Sequence, residues 1–358
     1  MNHHGGAGAF SDNESRWAMR DLTGRVLQIT LYKCGSQWLR DVLTAPEVVA
    51  YTGFAHSGVT LSMAECGTLD IPEHTFSGPI YDMNQWEWQY WKRPGDKAVV
   101  ALRDPRDRLI SLQYSLLYSH GVGVAVEFWR PLLHALPDAD SRLACFIYQP
   151  RLSGAHRMYR TWQGGGGAEV IVTRYEALLA DQHAEFRKIV DWLGWEVPNA
   201  VLDAVVDRLS FEARSGRMAG QTDIHSHYRR GVVGDWRNHF KREHGELWER
   251  LYPGLLRELG YEDSDDWWRS LSEIHAGGSD ISAEPLTFFG NNDGLIKILE
   301  MQLRQAQDAL AAKENMIQEL SSACIERQAI IDELKQACDA RSNLIERLAE
   351  GGSHGAVG

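Results

Sequence analysis

Through its first 261 residues the chain alternates short continuous apolar runs with longer stretches whose apolar positions follow the helical repeat. Arg25–Leu31, Lys97–Arg103 and Glu169–Thr173 are runs of the first kind, rich in Val and Ile, and they predict buried strands. A helical pattern follows each of them. Leu116–Tyr159 carries no strand signal and reads as a set of helices, and Glu243–Leu259 predicts a closing helix before Gly260. Gly164–Gly167 predicts a loop leading into the third strand. Strand then helix, repeated, predicts an α/β fold in which a parallel sheet is flanked by helices and the ligand site lies beyond the carboxyl ends of the strands.

After residue 261 the pattern changes. Glu262, Asp263, Asp265 and Asp266, then Gly277, Gly278, Pro285 and Asn291–Gly294, predict an acidic linker over 262–294. A heptad series follows, Leu303, Leu310, Ile317, Cys324, Ile331, Cys338 and Ile345, with a partner series Leu299, Ala306, Lys313, Leu320, Arg327, Leu334, Arg341 and Leu348. Together they predict a coiled coil over 295–350, about 75 Å long. Within it Glu314–Arg327 repeats as Gln328–Arg341, leaving one basic residue in the seam per repeat. Such a residue restricts register, which favours a homo-oligomer over a single amphipathic helix folded back on the domain. Residues 1–19 and 351–358 read as flexible ends, and 20–261 as the folded domain.

Composition narrows the function classes. Of 358 residues 44 % are hydrophobic and 13 are Trp, enough to bury a sizeable core. The net charge of −12 falls mostly beyond residue 261, so the domain itself is nearly neutral. A generic nucleic-acid binder needs a surplus of cations and is excluded; any anion site must be local. Cys34, Cys66, Cys145, Cys324 and Cys338 are odd in number and scattered, with no CxxC pair. That argues against a disulfide framework or a zinc knuckle and fits a reducing compartment, with Cys324 and Cys338 as small seam residues. There is no apolar run of about 18 residues and no apolar leader in Met1–Phe10, so neither a transmembrane segment nor a signal peptide is expected, and the reading is cytoplasmic.

Three segments carry chemistry. The first strand runs into Lys33-Cys-Gly-Ser-Gln-Trp38 and at once into a helix, which offers backbone N–H groups, a positive dipole end, a Lys and a hydroxyl to one anion. The glycines that precede the Lys of a nucleoside-triphosphate loop are missing. The second strand ends at Arg103, with Asp104 suited to cap the next helix, Pro105 to its first turn, and Ser111 two turns on. Arg103 and Ser111 are placed to grip a second phosphate, while Arg106 and Arg108 read as solvated helix charges. The third segment, His225–Phe240, gathers Arg229, Arg230 and Arg237 around Gly231 and Gly234, where glycine lets backbone N–H groups approach an anion closely.

In combination these segments resemble the cytosolic-type sulfotransferases that use 3′-phosphoadenosine 5′-phosphosulfate (PAPS), and most closely the bacterial branch, over roughly residues 25–261. The resemblance implies that Lys33 and the backbone of Gly35–Gln37, with Cys34 and Ser36 in the same loop, hold the 5′-phosphosulfate. Lys33 would be catalytic through charge developing on the leaving oxygen. It further implies that Trp38 and Phe211 sandwich the adenine, that Arg103, Ser111, Arg229 and the Gly231 backbone bind the 3′-phosphate with Arg230 nearby, and that Tyr175 contacts the nucleotide. Sulfuryl transfer then needs positioning, cations on the leaving group and a base, but no metal; PAP is the product.

The sequence departs from that family at the base. Where the family carries Lys-Thr-His this chain has His74-Thr-Phe-Ser-Gly-Pro-Ile-Tyr81, and aligning on the proline puts Ser77 in place of the His. His74 is the first candidate, His56 the second, and Glu73 or Glu87 the third. Cys34 and Gln37 also stand where the family usually has hydroxyl residues. Tyr81–Trp91 holds five aromatics among polar residues, which suits a hydroxylated acceptor and a saccharide ahead of a phenol or alcohol. Two other functions stay open: a P-loop kinase-like enzyme, and a non-catalytic oligomeric scaffold that keeps the nucleotide fold.

Overall fold

The computed structural model describes residues 24–59, 61–62, 71–121, 123–274, 321–322 and 324–342. The described residues up to 274 belong to one compact unit and those from 321 to 342 to another. In the first, five strands pair in parallel: β1 (Val26–Thr30), β2 (Leu61–Ser62), β3 (Phe76–Tyr81), β4 (Lys97–Leu102) and β5 (Val170–Arg174). Their order across the sheet is β2-β3-β1-β4-β5. The three strands expected from apolar runs are β1, β4 and β5. β3 escaped the pattern because Gly78 and Pro79 interrupt it, although all six of its residues are buried. Gly78 is needed there: at φ +136° a Cβ would lie 2.7 Å from the Gln28 carbonyl oxygen of β1.

Helices cover the sheet. α1 (Ser36–Leu43) and α2 (Pro46–Thr52) follow β1, and α3 (Gln85–Trp91) is started by a reciprocal cap between Asn84 and Glu87. α4 (Pro105–Tyr114) begins as expected, with the Asp104 carboxylate accepting from the Arg106 N–H. It runs into a π turn at Ser115–Ser119. α5 (Val124–Ala135), α6 (Ala139–Phe146), α7 (Gln149–Leu152) and α8 (Ala155–Trp162) fill the stretch without strand signal. After β5 come α9 (Tyr175–Ala180), α10 (Gln182–Leu193), α11 (Asn199–Arg208) and α12 (Phe211–Ser215). Leu39 and Val42 of α1, Phe186 and Ile189 of α10, and Val206 of α11 pack with Val99 and Ala101 in one apolar cluster. The single closing helix expected from the sequence is two, α13 (Arg242–Leu251) and α14 (Leu255–Glu258), parted where Gly254 takes φ +68°.

Two expectations are corrected. Arg106 and Arg108 are not solvated; each is 1 % exposed. The Arg106 guanidinium lies 3.6 Å from the Trp236 ring centre and 4.6 Å from that of Trp267, and it pairs with Asp104 at 2.7 Å and with Glu262. Arg108 donates to Gln149 Oε1. Apart from Asp104 these partners lie 41 or more residues away in sequence, so local pattern could not reveal the burial. The domain also runs past 261. Trp267 is buried, the Arg242 N–H donates to the Ser272 carbonyl at 2.8 Å, and the Ile274 N–H donates to the Glu243 carboxylate. The first acids of the expected linker are therefore structural: Glu262 neutralises Arg106, and Asp265 pairs with Arg257.

In the second unit residues 324–342 are helical, with Ile325, Ile330, Ile331 and Leu334 exposed. The rest of the expected coiled coil (295–320 and 343–350), the remainder of the linker and the two termini lie outside the described residues. Among the described residues no helix is long and apolar enough to cross a membrane.

Removing the Arg106 charge leaves Asp104 and Glu262 facing two tryptophans. Arg106→Met should lower the unfolding free energy by about 3–5 kcal/mol in a urea titration, and a loss below about 1 kcal/mol would contradict this account of the clamp.

Candidate active site

Beyond the carboxyl end of β1 the chain turns through two left-handed residues, Lys33 at φ +72° and Gly35 at φ +79°. For Lys33 that conformation costs roughly 1–3 kcal/mol, held in place by the surrounding packing. The sharp turn starts α1 at Ser36, and the first N–H groups of a helix have no partner within it. Gly35 also makes room for Tyr175, whose ring a Cβ would meet at 2.9 Å. Cys34 points the other way. It is fully buried, and burial pushes its thiol up to about 11.

From the end of β4, Arg103 joins this turn to the C-terminal loop. It donates to the Lys33 carbonyl at 3.2 Å and to the Val232 carbonyl at 3.0 Å, and its guanidinium lies 4.2 Å from the Tyr175 ring centre. Asp107, one turn into α4, accepts from the N–H of Gly234 at 2.6 Å and of Trp236 at 2.9 Å. Asp235 in turn pairs with both Arg229 and Arg230. Burial alone would raise the Asp235 carboxyl, but hydrogen bonds from His239, Arg229 and Asn238 hold it far below the usual range. Gly231, at φ +63°, lets the loop lie on Phe211, whose ring a Cβ would approach to 2.6 Å.

These pieces enclose a cavity of about 360 Å³. One end is apolar, with Trp38, Leu179, Leu209 and Phe211; the remainder carries Lys33, Arg103, Arg214, Arg229 and Arg230. No Asp or Glu is among the lining residues. Burial, then the charges of Arg103 and Arg229, lower the Lys33 ammonium to about 8. The Nε donors of Arg103 and Arg229 are buried without a hydrogen-bond partner. Crowded cations with spare donors and no carboxylate in the wall suit an anion with more than one phosphate-like group.

Of the residues singled out in the sequence, Lys33, Gly35, Ser36, Gln37, Trp38, Arg103 and Ser111 meet at this cavity. Tyr175, Phe211, Arg229, Arg230 and Gly231 meet there too. Cys34 and His74 are not among its lining residues. His74 precedes β3, whose opposite end reaches the cavity, roughly 20 Å away at the rise of a strand. Its ring packs 4.3 Å from that of Phe54 instead. The alternatives fare no better. His56 lies 2.6 Å from the Gly78 carbonyl through Nε2 and accepts the Gly58 N–H through Nδ1, so both nitrogens are engaged. Glu73 faces Arg93 at the surface, and Glu87 caps α3.

Five further residues were not assigned from sequence. Tyr81 ends β3 with its hydroxyl 3.3 Å from Ser36 Oγ and its ring stacked on Tyr32 at 3.8 Å. Arg214, His120, His227 and Tyr228 complete the wall. Tyr81 stood in the sequence only as the first of the aromatics read as an acceptor surface, because the strand it ends went unrecognised; His227 stood inside a segment already singled out, and Arg214 three residues after Phe211. Of the aromatics after Tyr81, Trp86 and Tyr90 are exposed, Trp88 is buried, and Trp91 stacks on Arg25; none lines the cavity.

Residues 89–260 match the family model described as the sulfotransferase domain. This domain belongs to the sulfotransferase family. Similar proteins include human sulfotransferase 1C2, 30 % identical over 101 residues, covering 25 % of this chain and 34 % of that protein. Cytosolic sulfotransferase 3 of Arabidopsis thaliana is 27 % identical over 188 residues, covering 49 % and 56 %. The chain thus spans about a third to a little over half the length of these relatives. Among solved structures, mouse sulfotransferase SULT7A1 complexed with PAP aligns with a TM-score of 0.48 at 18 % identity, covering 65 % of this chain and 85 % of that one.

Within the sulfotransferase domain, Asp107 is the residue that fixes the basic loop. In Asp107→Ala the amides of Gly234 and Trp236 should exchange with solvent at least about tenfold faster, with about 1–3 kcal/mol of stability lost; unchanged exchange would show that the loop is held by other contacts.

Proposed function

We propose that the protein transfers the sulfuryl group of PAPS to a hydroxyl of an acceptor and releases PAP. The observation that carries this reading is the wall of the cavity: five cationic side chains, no carboxylate, and an apolar end bounded by Trp38 and Phe211. PAPS supplies the activated sulfuryl group. Lys33, with the N–H groups at the start of α1, is placed to bind its 5′ end and to stabilise charge on the leaving phosphate oxygen. Arg103, Ser111, Arg229 and the Gly231 backbone bind the 3′-phosphate, with Arg230 braced behind them by Asp235. Trp38 and Phe211 take the adenine between them, and Tyr175 packs the nucleotide against Gly35. Among the described residues no group of three His, Cys, Asp or Glu stands close enough to hold a metal ion, and none is needed for in-line displacement on this arrangement.

For the acceptor, the stacked Tyr32 and Tyr81 give a flat aromatic face beside Lys33 that suits a saccharide ring ahead of a phenol or alcohol. The exposed Ile331 and Leu334, in the seam read from the sequence, support a homo-oligomer formed through 295–350. Free Cys34 and Cys145 in the core fit a cytoplasmic location.

Calorimetry separates this reading from a kinase-like one: PAP should bind and Mg-ATP should not, and the reverse result overturns it. Lys33→Ala should abolish PAPS turnover while leaving the thermal midpoint within a few degrees. Because burial and the neighbouring arginines lower the Lys33 ammonium to about 8 and an anion favours its charged form, PAP affinity should be full below that pH and weaken as pH rises through it. Deleting residues 295–358 should reduce the mass seen by light scattering without changing PAP affinity; an unchanged mass would contradict self-association through this segment.

A further inference from the structure

We propose that His120 is the residue that takes the proton of the acceptor hydroxyl, with His227 packed against it as a positioning residue. This rests on the sulfotransfer reading and answers what that reading leaves open, since none of the bases expected from the sequence reaches the cavity.

The cavity wall leaves few choices. Tyr81 lines the cavity beside Ser36, but burial raises its phenol, so it is suited to donate a proton and not to take one. Ser36 and Ser111 are hydroxyls with no base of their own. Asp82, next to Tyr81, has a carboxyl raised by burial to about 6, yet it faces Arg108 and Glu87 and does not line the cavity. That leaves two imidazoles, His120 and His227, whose ring centres are 6.2 Å apart in an edge-to-face arrangement.

His120 is the better held of the two. It closes the π turn after α4, its N–H donating to the Ser115 carbonyl at 2.7 Å and its carbonyl accepting from Arg130 at 2.8 Å. Ser115 also ties it to the chemistry: its hydroxyl lies 3.4 Å from Lys33 Nζ. The backbone that carries His120 and the ammonium that meets the leaving group are therefore fixed to one residue. His227 comes from the C-terminal loop two residues before Arg229. The charged and titratable groups acting on His120 are Lys33, Arg130 and His227, one from each neighbouring segment. Burial, then Lys33 and Arg130, lower its imidazole, keeping it neutral and able to accept. Burial, Lys33 and His120 push His227 down to about 4, too weak a base for the task.

The step balances. The acceptor oxygen bonds to sulfur, the bond from sulfur to the bridging phosphate oxygen breaks with its electron pair leaving on PAP, and the hydroxyl proton passes to the neutral imidazole of His120. The same geometry adds a control: the Lys33 charge weakens the base, and an anion on Lys33 offsets that charge. A bound nucleotide therefore raises the proton affinity of His120 when its substrate is in place.

The test uses the full chain, PAP as the binding probe, and PAPS turnover with 4-nitrophenol, glucose and water as acceptors. His120→Asn should bind PAP within about threefold of the wild type, which shows that the fold and nucleotide site survive, and should lose at least about a hundredfold in turnover. His227→Ala should lose less. By NMR of ¹⁵N-histidine, the His120 imidazole pKa should rise when PAP saturates the site, as an imidazole facing Lys33 requires, while loss of turnover with PAP binding kept is what a merely structural residue would not show. Turnover by His120→Asn within threefold of the wild type, or a His120 pKa unmoved by PAP, overturns the assignment while leaving sulfotransfer standing. If the wild type fails to bind PAP, or turns over PAPS with none of these acceptors, the sulfotransfer reading itself falls and the base assignment with it.

Discussion

The carboxylate of Asp107 joins two parts of the chain that must arrive together for the cavity to exist. It grows from the first turn of α4, and it fixes the N–H groups of Gly234 and Trp236 in a loop more than a hundred residues later. Arg103, one turn earlier, completes the tie by reaching the carbonyls of both Lys33 and Val232. The β1 turn, the β4 end and the C-terminal loop thus share one set of directional bonds. Neutral apolar packing brings the elements near one another, and these bonds set the register in which they face the ligand.

That arrangement separates charges by depth. The cations line the cavity, and the acids that hold them, Asp107 and Asp235, stand behind them and almost out of solvent. Each carboxylate spends its oxygens on a fixed guanidinium or on backbone N–H groups, so it does not compete with an incoming anion for the open faces of Lys33 and the arginines. Desolvation and mutual repulsion leave Lys33 easier to deprotonate than an ordinary lysine, and an anion in the cavity relieves both its repulsion and the unmet donors of Arg103 and Arg229. The lowered Lys33 ammonium and the unpartnered arginine donors are two descriptions of one distribution of charge.

What could be read from the sequence depended on distance along the chain. The α/β class, three of the five strands, the Lys33 turn and the Arg229–Trp236 loop were legible because each is a local pattern with a local reason. β3 was not, since a glycine that admits a neighbouring strand and a proline look like a break when the neighbour is unseen. His74 was expected at the site for the same cause: without β3 there was no way to know that Tyr81 marks the end of the strand that reaches the cavity and His74 the far end. Arg106 looked like a solvated charge because both tryptophans and Glu262 come more than a hundred residues later. His120 carried no local signature at all; the π turn that ends at Ser119 is what brings it to the cavity.

The Arg106 clamp has a practical corollary for anyone cutting this chain. Trp267 and Trp236, the latter inside the basic loop, both lie against that guanidinium and meet each other edge to face, so the segment that looks like the beginning of a dispensable acidic spacer backs the basic loop. A fragment ended at residue 261 would keep every residue that lines the cavity and lose the brace behind them. A piece that keeps this backing extends to Ser272–Ile274, where the backbone is pinned back onto α13.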